Sequence, residues 1–221
     1  MEKIFISGTG RCGTTFLILL FTLLDFDTGF DKNNYQNFIF NNCNSGMEKI
    51  YTDNHQILKN PLFLNQIEDI YNNCNIKYFI LPIRDINESA YSRKNINDKN
   101  IIKKDYNNDD VPGGFVECKT VETQILLYEK SITHYIIKMT QYNIPTIFID
   151  FNKMINDFNY LYNMILPILN DRNITLEEFK YIYYLTSLHQ NKKLVYYKLL
   201  FSLLSYIFPI YLKKKMLYSL L

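Results

Sequence analysis

Only seven glycines serve a chain of 221 residues, and three of them, Gly8, Gly10 and Gly13, fall within six positions. They follow a short β-branched and aromatic run, Lys3 to Ser7, and precede an unbroken apolar run, Thr14 to Leu24. The pattern predicts a strand that turns through Ser7-Gly8-Thr9-Gly10-Arg11-Cys12-Gly13-Thr14-Thr15 into a helix. Glycine there lets the backbone wrap an anion closely, with N–H groups aimed at it by the helix N-terminus. A ligand-free tight turn is the plain alternative, but it needs one or two glycines and no Arg followed by Gly-Thr-Thr.

The rest of the chain alternates short apolar runs with longer helical patterns. Further strands are expected at Phe26 to Phe30, Gln56 to Lys59, Lys77 to Pro82 and Thr146 to Asp150, with helices at Leu62 to Asn72, from Ile86 to Arg93, and at about Val116 to Tyr142. The remainder reads as helical. Strands separated by helices imply a parallel sheet covered on both faces, hence an α/β three-layer sandwich with about five strands and a helical C-terminal region. One domain is expected, with an α/β core over 1–170 and a helical extension over 171–221. In such sheets ligands bind beyond the carboxyl ends of the strands.

Composition narrows the function. The 24 Lys+Arg against 22 Asp+Glu give a net charge of +2, which argues against binding nucleic acid by broad phosphate neutralisation. Twenty of the basic residues are Lys and only four are Arg: Arg11, Arg84, Arg93 and Arg172. Three of those four fall in the two motifs described here, where a planar fork with a permanent charge serves a phosphate better than a point charge. The cysteines, Cys12, Cys43, Cys74 and Cys118, have neither C-x-x-C spacing nor paired His, so no zinc site or disulfide framework is expected. Met1-Glu2-Lys3 leads straight into the first strand, leaving no room for a signal peptide before the glycines, and a cytoplasmic protein is expected.

Against the nucleotide-kinase pattern G-x-x-x-x-G-K-[ST], the spacing from Gly8 to Gly13 holds, but Thr14 stands where the Lys belongs and the basic residue has moved to Arg11. Arg11-Cys12-Gly13-Thr14-Thr15 after a first strand resembles the 5′-phosphosulfate loop of sulfotransferases, usually [Lys/Arg]-[Ser/Thr]-Gly-[Thr/Ser]-[Thr/Ser], with Cys12 in place of the hydroxyl residue. The segment Phe79 to Arg93 resembles the same family's 3′-phosphate motif: an apolar strand, then Arg84-Asp85, then Ser92 eight residues after the Arg, followed by Arg93. Ile57-Leu58-Lys59-Asn60-Pro61 is similar to the family's strand ending in Lys-x-Pro. Weaker likeness lies at Phe148-Ile149-Asp150-Phe151, and the resemblance covers about residues 1–170. The glycine-rich C-terminal loop that closes over the nucleotide in cytosolic members has no match here; Lys192 and Lys193 are the candidates to replace it.

The resemblance implies a P-loop NTPase-like fold that binds 3′-phosphoadenosine-5′-phosphosulfate as co-substrate and moves its sulfuryl group to an acceptor hydroxyl, with a carbohydrate as the first expectation. No metal is required. It implies that Gly10, Arg11, Cys12, Gly13, Thr14 and Thr15 hold the 5′-phosphate, that Arg84, Ser92 and Arg93 hold the 3′-phosphate, and that Arg11 and Lys59 serve the leaving group. For the catalytic base Asp31 is chosen, because it follows the expected second strand at the carboxyl edge; Asp53 and Glu117 stand behind it. His55 lies four residues before Lys59, about 13 Å at the rise of a strand, and so toward the other edge.

Plainer readings remain open at each residue. Arg84-Asp85 alone reads as a surface ion pair with a helix-capping Asp and Lys59 as a solvated strand end, whereas a Cys12 thiol activated as a nucleophile at the helix N-terminus is argued against by Ile18, where a cysteine phosphatase would carry Arg. The alternatives for the whole chain are a P-loop nucleotide kinase and a nucleotide-binding protein without turnover. The polar stretch Asn95 to Gly114 is long enough for a lid. Leu199 to Leu212, broken by Pro209 and followed by Lys213-Lys214-Lys215, fits a buried helix, a peripheral membrane contact over 199–215 or a dimer contact.

Overall fold

The computed structural model describes residues 1–40, 43, 45–102, 113–115 and 117–190. It is an α/β protein built on a central sheet of four parallel strands: β1 (Lys3–Ile6), β4 (Ile57–Lys59), β5 (Ile76–Ile83) and β6 (Thr146–Asp150), in the order β4-β1-β5-β6. A separate antiparallel pair, β2 (Ile39–Phe40) and β3 (Ser45–Gly46), was not anticipated by the sequence pattern. The helices are α1 (Thr14–Leu23), α2 (Ile67–Asn73), α3 (Ile86–Ile102), α4 (Val121–Gln141), α5 (Phe151–Asn156), α6 (Phe158–Leu169) and α7 (Leu176–Gln190).

The alternation of strand side chains sends residues to two cores. Ile4, Ile6, Ile57, Ile80 and Ile149 join α1, α6 and α7 on one face. Phe5, Leu58, Phe79 and Leu81 join α2 and α4 on the other. Phe5 stacks on Phe79 at 5.2 Å and meets Phe63 edge-on at 5.3 Å, pairings worth about 0.5–1.5 kcal/mol each beyond their burial. Every residue from Thr14 to Thr22 is buried, which explains why α1 is apolar on all sides: the sheet lies against one face and α7 against another. Helix α7 is itself part of this core, with Phe179 fully buried and Tyr183 edge-on to Phe16 at 5.6 Å.

Three expectations change. The sheet has four strands rather than about five, because Phe26 to Phe30 does not pair as a strand. Only Asp27 O reaches β4, accepting from Ile57 N; Thr28 instead bonds Thr22 of α1 at 2.7 Å, and Gly29 turns the chain at φ 72°. Secondly, α3 continues to Ile102, so the front half of the polar stretch Asn95 to Gly114 is helix rather than loop. Burial of Ile96 and the Lys94–Asp98 pair at 2.6 Å, one turn apart, support those added turns. Thirdly, α4 starts at Val121 rather than near Val116, since Thr120 caps it in a reciprocal box with Thr123.

Pro82 sits within β5 without breaking the sheet: β1 pairs with β5 only as far as Ile80, so Pro82 has a strand on one side only, opposite Ile149. The chain leaves β1 for β4 on one side, then passes back to β5 on the other. Such a reversal opens a crevice at the carboxyl end of β1, where the glycine loop lies. The tail 199–215, Lys192, Lys193 and residues 103–112 lie outside the described residues.

Candidate functional site

The glycine loop turns at the carboxyl end of β1 through three successive left-handed residues or near neighbours: Gly10 (φ 85°), Arg11 (φ 58°) and Gly13 (φ 88°). A Cβ on Gly10 would collide with the Arg93 guanidinium, so the residue is glycine for both conformation and space. Gly13 precedes α1 and offers no capping side chain, leaving the N-terminal turn of that helix facing the crevice with its positive dipole end.

A cavity of about 380 Å³ opens here, walled by Gly10, Arg11, Gly13, Thr14, Thr15 and Lys59 and by Arg84 and Arg93. Eight of the expected binding or catalytic residues therefore face one space. Arg11 Nε donates to Ser92 Oγ at 3.2 Å, and Arg84 Nη1 donates to Arg11 O at 3.1 Å, so the two sequence motifs touch across more than seventy residues of chain. Burial lowers the Arg11 pKa, and the neighbouring Arg93 and Arg84 add to that. Guanidinium groups held this close repel one another until an anion joins them.

Arg93, expected to hold the 3′-phosphate, lines the cavity and also bonds the protein itself. The residue is 6% exposed, and its guanidinium donates to Thr9 O at 3.2 Å, to Gly114 O and to Tyr128 OH. It braces the glycine loop against α4 and the Gly113–Gly114 segment. Arg84 remains at the mouth, over the Phe151 ring at 4.6 Å and bonded to the exposed Glu88 at 3.2 Å.

Comparison with protein-family models, with curated proteins and with solved structures finds no match for this chain. The site must therefore be read from its own chemistry.

Lys59 ends β4 with its side chain 1% exposed and its ammonium donating to Gly46 O at 2.9 Å and to Glu48 Oε1 at 2.6 Å. Burial lowers its pKa, with Glu48 opposing the shift. It is thus no solvated strand end. Glu48 lines the same cavity, carried there by the β2–β3 pair, whose Phe40 and Ser45 are also walls. Sequence reasoning missed Glu48; the usable signal was Phe38-Ile39-Phe40 followed closely by Ser45-Gly46, a strand and turn pattern that marks a hairpin.

Three expected residues do not face the cavity. Cys12 is fully buried, with its Sγ packed where a Cβ on Gly8 would go, and burial raises its thiol pKa, the opposite of an activated nucleophile. Ser92 reaches the site only through Arg11. Asp31 is exposed and occupied locally, its Oδ1 accepting from Asn33 N at 2.6 Å, and it is not among the residues that wall the cavity. Of the candidates behind it, Asp53 sits beside Lys3 at the amino edge of β1, where Lys3 Nζ donates to Asp53 O at 2.8 Å. Glu117 is exposed and borders a second cavity. His55 pairs with Asp27 at 2.8 Å, away from the crevice. Among the described residues no cluster of His, Cys, Asp and Glu is arranged to hold a metal ion, and no helix is long and apolar enough to cross a membrane.

Proposed function

We propose that this chain is a sulfotransferase of P-loop NTPase-like, three-layer architecture, which uses 3′-phosphoadenosine-5′-phosphosulfate to sulfate an acceptor hydroxyl, with a carbohydrate as the acceptor class. One observation carries the reading. Arg11 of the glycine loop bonds Ser92 of the second motif and offers its carbonyl to Arg84, so both phosphate-type motifs close on a single cation-rich cavity.

The residues fit a nucleotide with two anionic groups: a glycine cradle at a helix N-terminus for one, the Arg84 fork for the other. When bound, the co-substrate supplies an activated sulfuryl group, whose S–O bond to the 5′-phosphate breaks as the acceptor oxygen bonds sulfur and adenosine 3′,5′-bisphosphate leaves. Arg11 and Lys59 offset the charge that develops on the departing phosphate. Ser92 orients Arg11. The Glu48 carboxylate, beside Lys59 on a side chain that lines the cavity, takes the acceptor proton in place of Asp31. Thr14 in the kinase Lys position leaves the nucleotide-kinase reading without its usual γ-phosphate contact.

Thermal shift tests the nucleotide site: adenosine 3′,5′-bisphosphate should raise the melting temperature without Mg²⁺ and more than ATP with Mg²⁺ does. Transfer of labelled sulfate to an acceptor panel then tests turnover. A second reading, an anion-binding protein without turnover, is favoured by one feature: Lys59 already has two protein acceptors. Nucleotide binding with no transfer to any acceptor would select it.

A further inference from the structure

A second cavity of about 400 Å³ lies on the other side of the glycine loop, between one face of α4 and the 3₁₀ turn Pro61–Gln66. The two cavities share Pro61, Leu62 and Arg93 as walls, so the two spaces adjoin. Their linings differ in kind. The first carries Arg11, Arg84 and Lys59. In the second, Leu62, Leu64 and Leu127 form aliphatic walls, while Thr9, Asn65, Ser131 and His134 add hydroxyl, amide and imidazole groups. Leu127, Ser131 and His134 recur at helical spacing along α4, which presents them on one face.

Charge separates the two spaces further. The second cavity is bordered by Lys130 and Arg93 against Glu117, a surplus of one positive charge, and Arg93 already donates to three protein oxygens. The first cavity, with Arg11, Lys59, Arg84 and Arg93 against Glu48, carries a surplus of three, so a polyanion is drawn there rather than to the second. Aliphatic walls set with uncharged donors and acceptors match a ring that has C–H faces and hydroxyl edges.

We propose that this groove between α4 and the Pro61–Gln66 turn is the acceptor subsite, and that it takes an uncharged glycan rather than a uronate-bearing or otherwise anionic one. The inference rests on the sulfotransferase reading for the word acceptor, but glycan binding itself is measured without nucleotide.

The test titrates the full chain with neutral di- and trisaccharides (chitobiose, chitotriose, lactose, maltotriose, mannobiose) and with trigalacturonate, by saturation-transfer NMR and calorimetry. Ser131→Trp fills the groove, and His134→Ala, at an exposed position, removes a polar group with little demand on folding. The expected result is binding of at least one neutral glycan, weakened about tenfold or more by Ser131→Trp and measurably by His134→Ala. The bisphosphate melting shift should persist in both variants. Three results overturn the proposal: no neutral glycan binds, the variants bind as well as the parent, or trigalacturonate is preferred. Loss of the bisphosphate shift in the parent chain, with glycan binding intact, would sink the sulfotransferase reading and leave a glycan-binding groove.

Discussion

Lys59 donates to Glu48 across 2.6 Å, and the two partners differ in exposure: the Lys59 side chain is 1% exposed and the Glu48 side chain 39%. The buried end is held in place by Gly46 O as well, whereas the carboxylate keeps a face toward the cavity. This asymmetry lets Lys59 act as a fixed charge and Glu48 as the partner open to a substrate.

Glu48→Gln should therefore lower sulfate transfer by about 10²–10⁴ while leaving the bisphosphate melting shift in place. Asp31→Asn should turn over at the parent rate, because Asp31 serves only its own turn. Steady-state rates at saturating acceptor decide between them; a loss in Asp31→Asn with Glu48→Gln unaffected would reverse the assignment.

The pH dependence follows from Lys59. Burial lowers its pKa from the ordinary 10.5, and the protonated form is the working one, so turnover should fall on the alkaline side before pH 10.5. Stability moves in the opposite sense. Between the lowered folded value and the unfolded value the unfolded chain binds the extra proton, so the Lys59 contribution to stability rises with pH across that window and is lowest below it. Lys59→Arg, which keeps its charge, should push the alkaline limb upward. Identical pH–rate profiles for the two proteins would remove Lys59 from the charge-offsetting role.

Two arginines, one just before α3 and one within it, should behave differently. Arg84→Ala gives up a group at the cavity mouth whose protein partners are the Arg11 carbonyl and the exposed Glu88, so bisphosphate affinity should drop about tenfold or more with a small change in melting temperature. Arg93→Ala leaves Thr9 O, Gly114 O and Tyr128 OH without their donor and should cost about 2–4 kcal/mol of stability. Denaturant melts and calorimetric titration separate the two effects, and equal stability losses would refute the bracing role.

Cys12 should be slow to react. Native-state alkylation by iodoacetamide, followed by mass spectrometry, is expected to label Cys74 and Cys118, both half-buried, well before Cys12. Cys12→Ser should retain transfer, and a folded but inactive Cys12→Ser would restore the nucleophile reading.

The legible part of the protein was what local pattern encodes. Glycine spacing, an apolar helix and strands of β-branched and aromatic residues located the loop, α1 and all four strands of the sheet, because each depends on residues adjacent in the chain. Phe26 to Phe30 misled because a short apolar run looks the same whether it bonds a neighbouring strand or packs by its side chains, and only the Thr22–Thr28 contact decides. The polar run after Arg93 misled in the other direction: its helix is held by Ile96 and by the Lys94–Asp98 pair rather than by an apolar stripe.

By itself the sequence marked the candidate site, since Arg11, Arg84 and three of the seven glycines lie in two strand-to-helix turns and Arg93 on the helix after the second. Tertiary structure decided what each of them does. Arg11, Arg84 and Arg93 have the same chemistry and similar motif positions, yet burial and partner oxygens make Arg93 a brace and leave Arg84 at the mouth. The same holds for the carboxylates: Glu48 reaches Lys59 and Asp31 does not, because the β2–β3 pair folds back over the end of β4, a contact between segments whose meeting no local propensity encodes.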